Sequence, residues 1–144
     1  SDAQRDRIRG VHYGGMSLDR EQLLRFQTEC LPKAVHLSGY GNTLFGCCLE
    51  LDVRSGRTPT YFPFGQRLVL ETVNERGEPS AAGEKGRVCF TRLDETMLIV
   101  RFRERDNALL VPVPPGAPEG FYLPGVQDPQ PSAAVTPLAA VGLY

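Results

Sequence analysis

The sequence contains no tryptophan, only two methionines and two histidines, and no excess of charge of either sign. Sixteen basic and seventeen acidic residues leave a formal net charge of −1, whereas nucleic-acid-binding modules usually carry a basic excess. The chain has no run of about 20 apolar residues that could span a bilayer, and its polar first residues do not resemble a secretory signal. These absences predict a cytoplasmic protein that binds neither nucleic acid nor a membrane.

The four cysteines form no recognisable metal-binding or redox motif. Cys47 and Cys48 are adjacent, whereas Cys30 and Cys89 are distant along the chain. Because no Cys-x-x-Cys pair or Cys/His cluster occurs, a structural zinc site is not expected. We interpret the four as reduced, mostly buried thiols. The adjacent pair is assigned to the core rather than to a nucleophile, since no basic neighbour in the local sequence lowers a thiol pKa.

The first 45 residues have the pattern of a parallel β–α–β unit. Residues 8–13 predict a short strand, which Gly14 and Gly15 end. Ser17 is a suitable N-cap for a following helix, and Pro32 stops that helix. A second short strand at 34–37 leads into a glycine-rich turn. In such a unit the carboxyl ends of both strands lie at one sheet edge, where ligands bind.

The remainder of the chain predicts strands followed by a proline-rich end. Short strands separated by turn signals indicate an antiparallel sheet over residues 46–110; they are expected at 47–53, 67–73, 86–91 and 97–102. Eight of the twelve prolines lie between Pro112 and Pro137, so residues 111–144 predict an extended connector. Its apolar stretch 133–143 is either a final strand or a cut end. The predicted fold class is α/β, a parallel βαβ unit (1–45) followed by an antiparallel β-rich region.

Three segments resemble signature motifs of the adenylate-forming enzymes, the superfamily of acyl-CoA synthetases and peptide-synthetase adenylation domains. The first, Tyr13-Gly14-Gly15-Met16-Ser17-Leu18, is similar to the family's adenine-side loop. The second, Gly39-Tyr40-Gly41-Asn42-Thr43, resembles its Tyr-Gly-x-Thr-Glu signature. The third, residues 86–106, resembles its stretch that ends in Arg-Tyr-Arg-Thr-Gly-Asp. The sequences of these segments are most similar to the branch of phenylacetate–CoA ligases and acyl-protein synthetases, which includes ligase-like proteins of phenazine antibiotic biosynthesis.

The resemblance implies ATP-dependent activation of a small carboxylic acid, with an aromatic acid among the candidates. The acid's carboxylate attacks the α-phosphorus of ATP to give an acyl-adenylate and pyrophosphate, with Mg²⁺ as Lewis acid. By resemblance, Tyr40 stacks on adenine, Asp106 accepts the two ribose hydroxyls, and Thr43 is the catalytic residue that donates to the α-phosphate. The implied nucleotide-binding residues are Gly14, Gly15, Met16, Tyr40, Gly41, Asn42 and Asp106.

Several positions depart from the family pattern. Leu44 stands where the family has a glutamate that holds magnesium, and leucine cannot coordinate a metal. Arg105 stands where glycine is usual, and neither the phosphate-gripping loop nor the domain with the catalytic lysine is found in the chain. The chain is therefore predicted to be a fragment of a larger ligase. Its partners are then the rest of that ligase, ATP and the acid, and the acyl acceptor is coenzyme A or another group.

Two other functions remain open from the residues. One is a catalytically inactive relative that holds an acyl-adenylate or an aromatic acid without making it, as the loss of the magnesium ligand suggests. The other is an unrelated β-rich interaction domain whose proline-rich segment docks partners in extended form. Whether the chain is an enzyme is left undecided by the sequence.

Histidines and arginines in the predicted strands have competing interpretations. His12 and His36 lie in apolar strands, where a single histidine is usually structural. Arg101, Arg103 and Arg105 alternate along a strand and share one face. That face is either a solvated edge that discourages aggregation or a cationic rim near phosphates.

Overall fold

A computed structural model describes residues 2–15, 20–51 and 57–132. In these ranges the chain forms a mixed α/β structure with one eight-stranded sheet and few helices. The strands are β1 (Gly10–Tyr13), β2 (Val35–Asn42), β3 (Gly46–Glu50), β4 (Thr60–Phe62), β5 (Leu68–Val73), β6 (Lys85–Leu93), β7 (Leu98–Val111) and β8 (Gly125–Pro131). The helices are α1 (Asp2–Arg5), α2 (Arg20–Arg25) and a π-helix (Phe26–Cys30). The strand order is β1-β2-β3-β4-β8-β7-β6-β5.

The predicted parallel βαβ unit is present at the start of the chain. β1 and β2 pair in parallel, with His12 opposite Leu37, and α2 and the π-helix connect them. Phe26 packs edge-on against the rings of Tyr13 and His36, at centroid distances of 5.9 and 5.5 Å. The His36 Nε2 lies 3.0 Å from the carbonyl oxygen of Leu31, just beyond the π-helix. This packing favours the structural interpretation of His36.

β2 is longer than the sequence predicts, because the segment expected to be a turn forms its second half. Residues 39–42 pair antiparallel with β3, from Gly39 opposite Leu49 to Asn42 opposite Gly46. The turn lies instead at 43–45, where the side-chain oxygen of Asn42 accepts hydrogen bonds from the backbone N–H groups of Leu44 (2.8 Å) and Phe45 (3.1 Å). Such an Asx turn mimics a backbone turn and allows a tight hairpin.

The proline-rich end contributes a central strand. β8 lies between β4 and β7 and pairs antiparallel with both, although it contains Pro129 and Pro131. The ladder shifts register between Asn107 and Leu109 of β7, and the extra β8 residues at this shift include Asp128, whose φ is +50°. Pro129 falls in this bulge, where a missing N–H breaks no ladder hydrogen bond. The prolines at 112–118 lie outside the strands.

The core is formed by residues of strands β3 to β8 and of the turn that precedes β3. Its buried residues are Phe45, Cys48, Tyr61, Leu68, Leu70, Val88, Phe90, Ala108 and Val126. The ring of Phe90 lies 5.0 Å from that of Phe45, so the β2–β3 hairpin packs over β6 and β7. No helix in the described ranges is long and apolar enough to cross a membrane.

The cysteines are less buried than the sequence predicts. Cys48 and Cys89 are buried, whereas Cys30 and Cys47 are exposed. Cys47 and Cys48 are consecutive on a strand, so their side chains point to opposite faces of the sheet and only one can enter the core. The assignment of both to the core is therefore wrong for Cys47.

Candidate functional site

The two glycine-containing segments lie side by side at the end of β1. Gly14 follows the pair of Tyr13 with Ser38, and a Cβ at position 14 would stand 2.9 Å from the carbonyl oxygen of Gly39. Gly15 has a φ of +80°, which favours glycine. Gly14 therefore lets the two backbones approach, and Gly15 permits the left-handed backbone conformation that follows. Met16 and Ser17, the predicted continuation of this loop, lie outside the described residues.

Tyr40 joins β2 to β7 across the fold. Its hydroxyl donates a hydrogen bond of 3.1 Å to the Oδ2 of Asp106, which lies 66 residues further along the chain. Its ring packs against Phe45 and Tyr61, at centroid distances of 5.4 and 5.8 Å. Burial, and then the negative charge of Asp106, raises the pKa of Tyr40 far above its usual range. The hydroxyl is therefore always protonated and acts as a donor to the carboxylate.

A second contact runs parallel to the first. The side-chain amide of Asn42 donates a hydrogen bond of 2.8 Å to the Oε1 of Glu104. In the sheet, β3, β4 and β8 lie between β2 and β7, so only a strongly curved sheet lets these side chains meet. We name the four residues Tyr40, Asn42, Glu104 and Asp106 the β2–β7 bridge. It places two carboxylates, an aromatic ring and an amide at one location.

A bulge in β7 turns the two carboxylates toward β2. Between the pairs Arg87–Asn107 and Cys89–Arg103, β7 has two more residues than β6. The Nε of Arg87 donates to the backbone carbonyl of Glu104 inside this bulge. β-Bulges are common next to active sites because they redirect side chains. Sequence reasoning missed Glu104, although four consecutive charged residues at 103–106 in a predicted strand were the available signal.

The remaining predicted site residues lie in the β2–β3 turn. A Cβ at Gly41 would overlap the backbone carbonyl of Gly46, so only glycine lets the hairpin close. Thr43 is exposed in the turn, next to Asn42. Leu44 is 40% exposed, and its carbonyl oxygen accepts a hydrogen bond of 2.9 Å from Arg92. The structure thus brings Tyr40, Asn42 and Asp106 together and leaves Thr43 at the solvent boundary.

The arginines on β7 lie against another part of the molecule. Arg101, whose φ is +48°, donates to both carboxylate oxygens of Glu71, at 3.1 and 2.9 Å, and to the carbonyl oxygen of Gly77. The Arg103 guanidinium also lies beside Gly77. For Arg101 this favours the structural interpretation over a cationic rim. In the described ranges, no group of three or more His, Cys, Asp and Glu side chains is placed to hold a metal ion.

Comparison with known proteins gives a fold likeness only. No protein-family model matches the chain, and no curated protein matches it. A crystal structure of IdnL1 aligns with a TM-score of 0.55 and 16% identity, over 89% of this chain and 30% of that one. The structure of a luciferase-like enzyme from the nonluminescent mealworm Zophobas morio aligns with a TM-score of 0.47 and 17% identity, over 83% of this chain and 31% of that one. The chain thus spans about three tenths of the length of either protein.

These findings correct the family prediction. The alignment with IdnL1, at 16% identity, shows a shared fold and points to no specific family. The predicted membership of the adenylate-forming superfamily, and of its phenylacetate–CoA ligase branch, is therefore wrong. The prediction depended on short motifs rich in glycine, which recur wherever strands end in tight turns. In the structure, moreover, residues 39–42 form a paired strand and not the loop predicted for them.

Proposed function

We propose that the chain provides the nucleoside-binding part of an ATP-dependent enzyme that activates a carboxylic acid, with ATP or AMP as its ligand. The β2–β7 bridge is the observation that carries this proposal. It holds an aromatic ring and a carboxylate together, with the Tyr40 hydroxyl 3.1 Å from Asp106. A purine nucleoside presents the complementary groups, a flat ring and a sugar with two hydroxyls.

The chemistry of the bridge supports such a ligand. Tyr40 is only partly buried, and the part of its ring that Phe45 and Tyr61 leave uncovered is proposed to stack on the base. An ionised carboxylate has about four lone-pair sites, so Asp106 can accept sugar hydroxyls while it keeps the hydrogen bond from Tyr40. The exposed Thr43 hydroxyl follows directly after the bridge residue Asn42 and is proposed to donate to a phosphate. The glycines at 14 and 15 are proposed to let backbone approach the base closely, and a Cβ at Gly15 would meet no atom within 4 Å.

In the proposed reaction, the acid's carboxylate attacks the α-phosphorus of ATP, and pyrophosphate leaves as the acyl-adenylate forms. The described residues bind and orient the nucleoside; the acid site and the acyl acceptor are proposed to lie elsewhere in the same enzyme. Leu44 offers no oxygen ligand, and Glu104 and Asp106 already accept hydrogen bonds. Magnesium is therefore expected to be held mainly by the nucleotide phosphates and by residues outside the bridge.

Calorimetric titration of AMP into the full-length protein tests the nucleoside site. Asp106→Ala should weaken AMP binding more than tenfold, because a hydrogen bond to a charged group contributes roughly 1.5–3 kcal/mol. The matched control is Asp128→Asn, which changes a carboxylate paired with Lys85 on the surface, and it should leave the affinity unchanged. Equal affinities for wild type and Asp106→Ala, or no binding of AMP by the wild type, would contradict the proposal.

The two alternative functions are separated by further observations. ATP–pyrophosphate exchange, measured on the full-length protein with a panel of carboxylic acids, distinguishes an activating enzyme from a protein that only holds the nucleotide.

For the interaction-domain alternative, the conformation of the proline-rich segment is informative, because this segment turns back on itself. The backbone N–H of Ala117 donates to the carbonyl oxygen of Pro114 at 3.2 Å, and Gly116 has a φ of +78°. This turn does not have the extended form that peptide-binding grooves select.

A further inference from the structure

A thiol and an imidazole approach the same point on the outer face of the β1–β2–β3 part of the sheet. The point where a Cβ at position 39 would stand lies 2.8 Å from the Sγ of Cys47 and 2.9 Å from the Nε2 of His12. Position 39 is a glycine, so this point is empty of side-chain atoms. Two soft or borderline donor atoms therefore border one small space above the backbone of β2.

Strand pairing explains why residues so far apart in sequence meet. His12 on β1 is opposite Leu37 in the parallel pair, and Cys47 on β3 is opposite Gly41 in the antiparallel pair. Their side chains reach toward Gly39 from the two neighbouring strands, on the face opposite the buried His36. The local sequence around Cys47 contains no basic residue, so only the fold shows this pairing.

The surroundings of the pair are apolar but open to solvent. Leu37 and Leu49 lie on the same face and are 45% and 40% exposed. Cys47 is exposed, so a small ion can reach its Sγ. A thiophilic metal ion can displace the proton of an accessible thiol.

We propose that Cys47 and His12 form a two-ligand site for a soft monovalent cation of the Cu(I) class. Thiolate and neutral imidazole are donors that such ions prefer. Structural zinc takes four protein ligands, and the described residues supply no third one at this place. On binding, the Sγ–metal bond replaces the S–H bond, the proton passes to solvent, and the Nε2 lone pair completes the site without any change of oxidation state.

Because both donor atoms lie within 3 Å of the same point, they are no more than about 6 Å apart, and side-chain rotation can bring both to one ion. Metal–thiolate and metal–imidazole bonds are typically about 2.3 and 2.0 Å long. The Cβ point itself is too near the Gly39 backbone for an ion, so the ion would stand above it, between the two donors. This site is on the outer face and is independent of the β2–β7 bridge and of the function proposed for it.

Titration with Ag⁺, a monovalent thiophilic probe that does not undergo redox cycling, tests the site on the full chain. Affinity is measured by calorimetry in competition with a soluble chelator, and the His12 ring nitrogens are followed by ¹⁵N NMR. We expect one tight equivalent that shifts the His12 resonances. Cys47→Ser should abolish it, and His12→Ala should weaken it by about tenfold or more, since even outer-shell partners of metal ligands contribute that much.

Two further variants make the test specific. Cys30→Ser removes the other exposed thiol and should leave the tight equivalent unchanged. Gly39→Ala should weaken binding, because its methyl group would stand less than 3 Å from both donor atoms and would push them away from the ion. The proposal fails if His12→Ala binds Ag⁺ as tightly as wild type, or if the His12 resonances do not move. It also fails if Cys30 and Cys47 contribute equally, since that is binding to thiols alone; these outcomes do not depend on whether Gly39→Ala folds.

Discussion

Asp94 organises the turn between β6 and β7 with a single carboxylate. Its Oδ1 accepts hydrogen bonds from the backbone N–H groups of Thr96 (2.9 Å) and Met97 (3.1 Å) and from the Thr96 hydroxyl. Its Oδ2 accepts a hydrogen bond of 2.7 Å from the Arg92 guanidinium. These donors, first of all the Thr96 hydroxyl and Arg92, hold the pKa of Asp94 well below its usual value.

The pH dependence of stability should therefore change when this carboxylate is removed. A carboxyl group whose pKa is lower in the folded state stabilises the fold above its unfolded pKa, and this contribution is lost as the pH falls through the folded pKa. Asp94→Asn should thus be less stable than wild type at pH 7, and the difference should shrink below about pH 4. Urea denaturation at a series of pH values measures this difference in the free energy of unfolding. Glu95→Gln, which changes the exposed neighbouring carboxylate, is the control. If the stability difference between Asp94→Asn and wild type stayed constant with pH, the Asp94 carboxylate would not be the stabilising group.

At the scale of single residues, the sequence identified several but not all members of the candidate site. Tyr40, Asn42 and Asp106 were selected from the sequence and meet in the structure. Glu104 could not be identified from the sequence, because its orientation depends on a bulge whose position is set by pairing with β6. The pairing of His12 with Cys47 was likewise hidden, because it depends on the registers of two strand pairs.

At the scale of secondary-structure elements, the β2–β3 hairpin is held by the side chain of Asn42. Asn42 accepts two backbone hydrogen bonds that close the turn and donates one to Glu104 on β7. The same side chain therefore fixes the hairpin and anchors it to the opposite part of the sheet. Sequence patterns located this segment correctly but assigned it to a loop, because glycines at 39 and 41 weaken the strand signal.

Replacing this side chain should destabilise the fold. Asn42→Ala should lower the free energy of unfolding by about 1–3 kcal/mol, since each intramolecular hydrogen bond contributes roughly 0.5–1.5 kcal/mol. Chemical denaturation followed by circular dichroism measures the change. Thr43→Ala, at the exposed neighbouring position, should stay within about 0.5 kcal/mol of wild type. Equal stability of Asn42→Ala and wild type would show that the turn closes without its side-chain cap.

The other elements show which sequence signals were reliable. The order of strand, helix and strand in the first 45 residues was predictable, since helix stops and strand patterns are local. The full length of β7 and the presence of β8 were not predictable from the sequence. β8 contains two prolines, and prolines normally exclude a central strand. The sheet accommodates Pro129 because this residue falls in a bulge.

At the scale of the whole molecule, the sheet presents an apolar outer surface near its β5 end. Leu93, Leu98 and Val100 are 63%, 73% and 66% exposed, and β5 is an edge strand. Exposed apolar strands next to an unpaired edge promote association between copies of a chain. The charged residues that follow in β7 do not cover this surface, since Arg101 turns toward Glu71.

The 144-residue chain should therefore associate at high concentration through this surface. The double variant Leu98→Lys/Val100→Lys should remain monomeric at concentrations where wild type associates, as measured by size-exclusion chromatography with light scattering. Its unfolding free energy should change by less than about 0.5 kcal/mol, because both side chains are already exposed. Leu24→Lys, which changes an exposed apolar residue on α2, serves as control and should behave like wild type. A wild type that stays monomeric throughout would rule out this role for the surface.

The position of β8 also has a consequence for biosynthesis. β4 and β7 have no ladder between them, and β8, formed from the last described residues, supplies the pairing to both. A nascent chain can assemble β1–β4 and β5–β7 as two separate sheets, but the ladders that join them into one sheet cannot form until residues 125–131 have left the ribosome. Such late, non-local pairing slows folding. A ribosome that stalls before Gly125 therefore leaves two half-sheets with open edges, a product suited to chaperone binding and degradation.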